Sequence, residues 1–166
     1  MRVEAHGLAA ELPRGWEARI YGRPRLAPAT AVAPLAPRGE ALGRGALATL
    51  HAASFPLRGD EGAFGGAATS RMPAGGAFLA LVEYQPDSAL VPGAGLFASR
   101  TVPRALAPAD FRAEALMVAR RGQAGVQRFF TAGERPFCLY AVAGLAAGAI
   151  PALDRINGIL RSLVIA

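Results

Sequence analysis

The stretch from Gly125 to Ala166 constrains this chain more than any other. GVQRFFTAGERPFCLYAVAG reads as a β-hairpin. Val126, Arg128 and Phe130 alternate with Phe129 and Thr131, and Ala132-Gly133-Glu134-Arg135 forms the turn. Phe137, Leu139 and Ala141 return opposite Cys138, Tyr140 and Val142, so both faces are apolar and the pair is expected at the centre of a sheet. IPALDRINGILRSLVI then reads as an amphipathic helix. Pro151 pre-sets its first turn. Leu153, Ile156, Leu160 and Leu163 recur at three- and four-residue steps, with Ile159 and Val164 widening the stripe. Asp154 and Arg161 suit the two ends of the helix dipole. Gly158 costs about 1 kcal/mol of helix propensity. Burial of the large aliphatic side chains, at ~1.5–3 kcal/mol each, outweighs it. Gly158 is expected to mark a close approach of helix to sheet.

A hairpin followed by a packed helix points to an α+β domain: a largely antiparallel sheet covered by the C-terminal helix. The 166 residues suit one domain spanning 1–166. Hydrophobic residues make up 52% and charged residues 18%, which excludes a charge-rich disordered chain. Alanine supplies much of that fraction, so the core rests on Trp16, Ile20, Phe55, Phe78, Phe97, Phe129, Phe130, Phe137, Tyr140 and the leucines.

Upstream, residues 2–12 alternate imperfectly and read as a first strand with an irregularity near Gly7. Pro13-Arg14-Gly15 is a turn, and Trp16, Ala18 and Ile20 face inward on a second strand, making a hairpin of 3–21. From 22 to 45 the pattern dissolves into a Pro/Ala/Arg-rich arm or loop: Pro24, Pro28, Pro34 and Pro37 exclude a helix or a central strand. Such a loop is long for a compact domain and suits an extended contact with a partner through Arg23, Arg25, Leu26, Leu35 and Arg38. Ala46 to Phe55 reads as a strand, and Leu57 to Gly76 as a glycine-rich loop. Phe78 to Gln85 reads as a central strand, Leu96 to Val102 as a short edge strand, and 108–121 as a short helix.

The net charge is +6, and all of the positive charge comes from arginine, with no lysine in the chain. With abundant Ala, Gly and Pro, this is the composition favoured by a GC-rich genome. Arginine pairs bidentately with carboxylates and phosphates, so an acidic surface is a possible partner. The single Cys138 excludes an internal disulfide and reads as a buried thiol. Glu4, His6 and Glu11 interrupt what a signal peptide would need, so a cytoplasmic location is expected. The uncharged run from Phe137 to Leu153 contains Gly144 and Gly148 at GxxxG spacing. It is shorter than the ~20 residues of a membrane span and is broken by Pro151, so no transmembrane span is expected.

LPRGW in the leading hairpin, the closing strand pair and LDRINGILRSLVI together resemble the Mog/PsbP-type α/β/α sandwich. They are also similar to small alanine- and arginine-rich proteins of high-GC actinobacteria. The resemblance covers both ends of the chain and not the middle. It implies an accessory domain that binds protein partners or helps to assemble a larger complex.

The chemistry-bearing residues are few. His6 and His51, each on an expected strand, have no His or Cys at ligand spacing, so neither a metal nor a cofactor is expected. No serine sits in a G-x-S-x-G elbow, and the glycine clusters match neither a P-loop nor a dinucleotide fingerprint. Exposed aromatics do not interleave with basic residues, which argues against specific nucleic-acid binding. The constellation that remains is Arg120, Arg121, Gln123, Gln127, Arg128 and Arg135, a candidate cationic patch for an anion or a partner near the hairpin's turn end. The expected function is that of a non-catalytic accessory or adaptor domain acting through protein contacts, with homo-oligomerisation as one form. The alternative is a small-ligand (anionic) binding domain or cryptic enzyme, with its pocket between the sheet and the Leu57–Gly76 loop.

Overall fold

The computed structural model describes residues 1–26 and 46–166. Leu35, Arg38 and most of the arm expected at 22–45 lie outside the described residues. The expected α+β class holds. Strands β1 (Arg2–Ala5), β2 (Leu8–Glu11), β3 (Glu17–Arg23) and β4 (Leu47–Ala53) come first, followed by the short helix α1 (Gly66–Ser70). Strands β5 (Ala77–Glu83), β6 (Gln123–Ala132) and β7 (Arg135–Gly144), helix α2 (Leu153–Ser162) and the short β8 (Val164–Ile165) complete the order. The principal sheet has five antiparallel strands in the order β3-β4-β5-β7-β6, and a smaller sheet has the order β1-β2-β8.

The two apolar faces of β5 and β7 are explained by layers on both sides of the large sheet. Leu50, Leu79, Leu81, Phe137, Leu139 and Phe130 point to one face. There they meet Ile156, Ile159 and Leu160 of α2 and Leu8, Ala10 and Leu12 of the small sheet. Phe78, Val82, Tyr140 and Val142 point to the other face, beneath Phe55, Leu57 and Ala68. Phe64 of the glycine-rich loop and Leu116 complete that second cover. Asn157 fastens α2 to the preceding loop: its Oδ1 accepts from the Leu106 N–H at 2.8 Å and its Nδ2 donates to the Leu106 carbonyl at 2.9 Å. The Arg104 guanidinium reaches the carbonyls of Leu160 and Leu163 at the helix C-terminus, where orphan acceptors need donors.

Several elements differ from the sequence expectation. Residues 2–12 form two strands, not one, joined by His6 and Gly7 in the left-handed region (φ 51° and 74°). Such a two-residue turn matches the twist of a hairpin. β2 therefore pairs with β1 and β8, while β3 joins β4 in the other sheet, so 3–21 is not one hairpin. His6 consequently lies in a turn rather than a strand. The closing hairpin forms with the expected turn, but β6 is an edge strand and only β7 is interior. The expected strand at 96–102 is a 3-10 turn, Gly95–Phe97, followed by irregular chain. The expected helix at 108–121 is two 3-10 turns, Pro108–Asp110 and Ala113–Ala115. Val164 leaves the helical stripe and stands exposed on β8. Gly158 faces open space rather than the sheet. Among the described residues no helix is long and apolar enough to cross a membrane.

Candidate functional site

The six polar residues picked out around the hairpin are distributed by the strand alternation. Gln123 and Gln127 point to one face of β6 and Arg128 to the other. Arg135 begins β7 at the turn, whereas Arg128 sits opposite Leu139, several pairs away. Arg135 is drawn inward onto Glu83: its Nε donates to Oε1 at 3.0 Å and its Nη2 to Oε2 at 2.8 Å. Its remaining donors reach the carbonyls of His6 at 3.1 Å and Ala166 at 2.6 Å. Arg135 is thus a tie between the two sheets. Arg120 and Arg121 lie in the turn before β6, where the Gln123 N–H bonds the Arg120 carbonyl at 3.2 Å. Gln123 Nε2 donates to the Thr69 carbonyl at 2.9 Å. Arg120 Nε and Gln123 Oε1 are buried without a hydrogen-bond partner among the described residues.

Gln127 and Arg128 do come together, with residues that the sequence did not single out. They line a groove of about 470 Å³ with Asp110, Arg112, Glu114 and Ala115. The groove exists because the chain touches β6 once and then diverges. Arg112 and Gly125 exchange backbone bonds at 2.8 and 2.9 Å. Asp110 is then held by the Arg128 side chain, Nη2 to Oδ1 at 2.6 Å, and Gln127 Nε2 donates to the Ala115 carbonyl at 2.9 Å. In an antiparallel ladder alternate residues turn their backbone groups away from the partner strand. Gly125 is one of these, so Gln127, Phe129 and Thr131 are as well. The Thr131 N–H is satisfied by the Ser99 carbonyl at 2.8 Å. Between these two contacts, the N–H groups of Gln127 and Phe129 and the Phe129 carbonyl have no partner among the described residues, and the Gln127 carbonyl takes only the Arg128 side chain. Further along the chain, Met117 and Val118 are 47% and 52% exposed.

The described part of the arm lies at the opposite edge of the sheet. Arg23 is the last residue of β3. Its Nε donates to Thr49 Oγ1 at 3.0 Å and its Nη2 to the Glu83 carbonyl. Arg25 Nη2 stands 3.5 Å from Glu83 Oε1. The Leu26 backbone is clamped by Gln85, whose Oε1 accepts from the Leu26 N–H at 2.8 Å and whose Nε2 donates to the Leu26 carbonyl at 2.7 Å. Glu83, 1% exposed, also accepts from the Ala48 N–H at 2.8 Å. A carboxylate inside a strand that is apolar on both faces was the sequence signal for this hub.

A second charged cluster lies under the glycine-rich loop. Buried Glu61 receives a two-pronged contact from Arg71, with Nη1 2.9 Å from Oε2, and the Arg58 N–H at 2.6 Å. The Arg71 hydrogen bond is the main cause that holds the Glu61 carboxyl below its ordinary range. His51 is buried on β4, with Nε2 2.9 Å from the Ala63 carbonyl and its ring edge-on to Tyr21 and Phe78. Burial lowers its pKa, opposed by the Ala63 contact and by Glu61. Burial likewise pushes the Cys138 thiol up to about 12, which makes it a poor nucleophile at neutral pH. Among the described residues no group of three or more His, Cys, Asp or Glu could hold a metal ion. No protein-family model, curated protein or solved structure matches the chain.

Proposed function

We propose that this domain is an accessory or adaptor module acting through protein contacts, and that it takes an extended segment of a partner protein along the outer edge of β6. The observation that carries the reading is the pair of outward backbone sites at Gln127 and Phe129, open between the contacts at Gly125 and Thr131. Unpaired strand-edge groups are templates for strand addition, in which main-chain bonds supply affinity and alternate side-chain pockets supply specificity. The groove beside them offers Arg112 and Glu114, neither in an ion pair among the described residues, for charges on the incoming segment. A second copy of β6 does not fit this lane, because Arg112 and Ser99 already occupy it on either side. The opening admits about three extended residues at ~3.3 Å each.

The resemblance of both chain ends to Mog/PsbP-type sandwich domains supports the same class of role. A cytoplasmic setting belongs to the proposal and rests on composition: one buried cysteine, with no second to pair it. Linear peptides selected from a random library on the immobilised domain test the reading. The expected binders protect the Gln127 and Phe129 amides from hydrogen exchange. Gln127→Pro removes an outward donor that β7 does not use, a position where an edge strand tolerates proline. It should abolish binding with little change in melting temperature, while Gln127→Ala retains binding. Selected peptides that bind Gln127→Pro as well as the parent would overturn the proposal.

A further inference from the structure

We propose that a second, separate site binds a small organic monocarboxylate, with the carboxylate on Arg23 and the apolar body between Phe64 and Tyr84. A cavity of about 310 Å³ lies where the glycine-rich loop crosses the ends of β3, β4 and β5. That volume falls at the lower end of small-molecule sites, about 300–1,000 Å³. Its floor is Leu47 and Val82, its walls are Phe64 and Tyr84, and Arg23 and Leu26 close one side.

The chemistry of the occupant follows from Arg23. A guanidinium carries five N–H donors in a rigid fork. Thr49 and the Glu83 carbonyl orient Arg23 through Nε and Nη2, and no carboxylate pairs with it among the described residues. Glu83 presents Arg23 with its backbone only, because its own carboxylate is turned to Arg135, Arg25 and the Ala48 N–H. A half-buried cation fixed by neutral acceptors beside apolar walls suits one negative charge. Asp87, at the rim, opposes a second. Tyr84 adds a hydroxyl that burial keeps protonated, hence a donor. The walls are pre-set: Tyr84 leans on Phe97 at 5.3 Å and on Phe129 at 6.4 Å between ring centroids, and Phe64 stands edge-on to Tyr140 at 5.9 Å. Little ordering entropy is left for a ligand to overcome.

The experiment uses the full chain with phenylacetate and hexanoate as probes, against phenylacetamide, hexanamide and inorganic phosphate. The two carboxylates should raise the melting temperature by mass action, and the amides and phosphate should not. Arg23→Gln should weaken carboxylate binding at least tenfold. Because Arg23 also tethers β3 to β4 and β5, Leu90→Trp is the second variant. It fills the cavity mouth from the loop that Asp87 folds through its bonds to Ala89 and Leu90. It should lose binding by at least tenfold as a folded protein. Equal binding of amides and carboxylates, tighter binding of phosphate, no binding of any probe, or full affinity in Leu90→Trp each overturn the proposal. The β6 edge has its own variant, Gln127→Pro, at a residue that does not line this cavity.

Discussion

Glu83 places a carboxylate where solvent does not reach, and Arg135, Arg25 and the Ala48 amide converge on it. Removing one partner of a buried pair leaves the other charge uncompensated, which is worse than never having built the pair. Arg135→Met should therefore destabilise the fold by about 3 kcal/mol, the lower end of that class because Arg25 remains nearby. Glu83→Gln combined with Arg135→Met should recover part of the loss. Urea midpoints of the two variants check this. The second cluster gives a pH dependence. His51 has its pKa lowered in the fold by burial, so the unfolded chain takes up its proton first, near pH 6.5. Its contribution is complete above that value and is lost as pH falls, with a slope of up to ~1.4 kcal/mol per pH unit. Glu61, held down chiefly by Arg71, adds a contribution that is present above about pH 4.3 and lost as pH drops further. Stability measured from pH 8 to 2 should decline in those two stages, and His51→Gln should erase the first.

The two glycines at Gly65 and Gly158 show how differently one residue type serves two elements. Gly65 precedes α1 at φ 67°, and a Cβ there would collide with the Phe78 ring. Gly158 lies in mid-helix facing open space. Gly65→Ala should lower the melting temperature sharply, while Gly158→Ala should stabilise by up to about 1 kcal/mol; calorimetry of both separates the cases. The elements that could be read in advance are those whose pattern is carried by their own side chains. The stripe of Ile156, Ile159 and Leu160 is sufficient for α2, and the two-faced apolar runs suffice for β5 and β7. The hairpin of β1 and β2 escaped because its turn is His6-Gly7, without the Asn-Gly or Asp-Gly signal, and the alternation runs on through it. The stretch from Gly95 to Leu116 escaped because 3-10 turns and irregular chain carry no period. The groove escaped for a different reason: Asp110 meets Arg128 only once tertiary structure has brought the chain back along β6. In the sequence Arg135 reads as part of a patch for an anion or a partner, yet its partner Glu83 lies fifty-two residues away in the same chain.

Across the whole molecule, protection follows the layers. β4, β5 and β7 have neighbours on both sides and are buried along nearly their whole length. Their amides should exchange only by global unfolding, whereas those of β1 should exchange by local opening. Hydrogen exchange followed by mass spectrometry would show the order, and early exchange in β7 would contradict the layer assignment. The small sheet has its own temporal consequence. β2 finds its second partner in β8, through Leu8 with Ile165 and Ala9 with Val164, and the Ala166 N–H bonds the Gly7 carbonyl at 2.9 Å. At translation rates of about 5–20 residues per second, the ribosome needs on the order of ten seconds to deliver that partner. Until then Leu8, Ala10 and Leu12 have no α2 to cover them, and a nascent-chain chaperone has a defined interval in which to act.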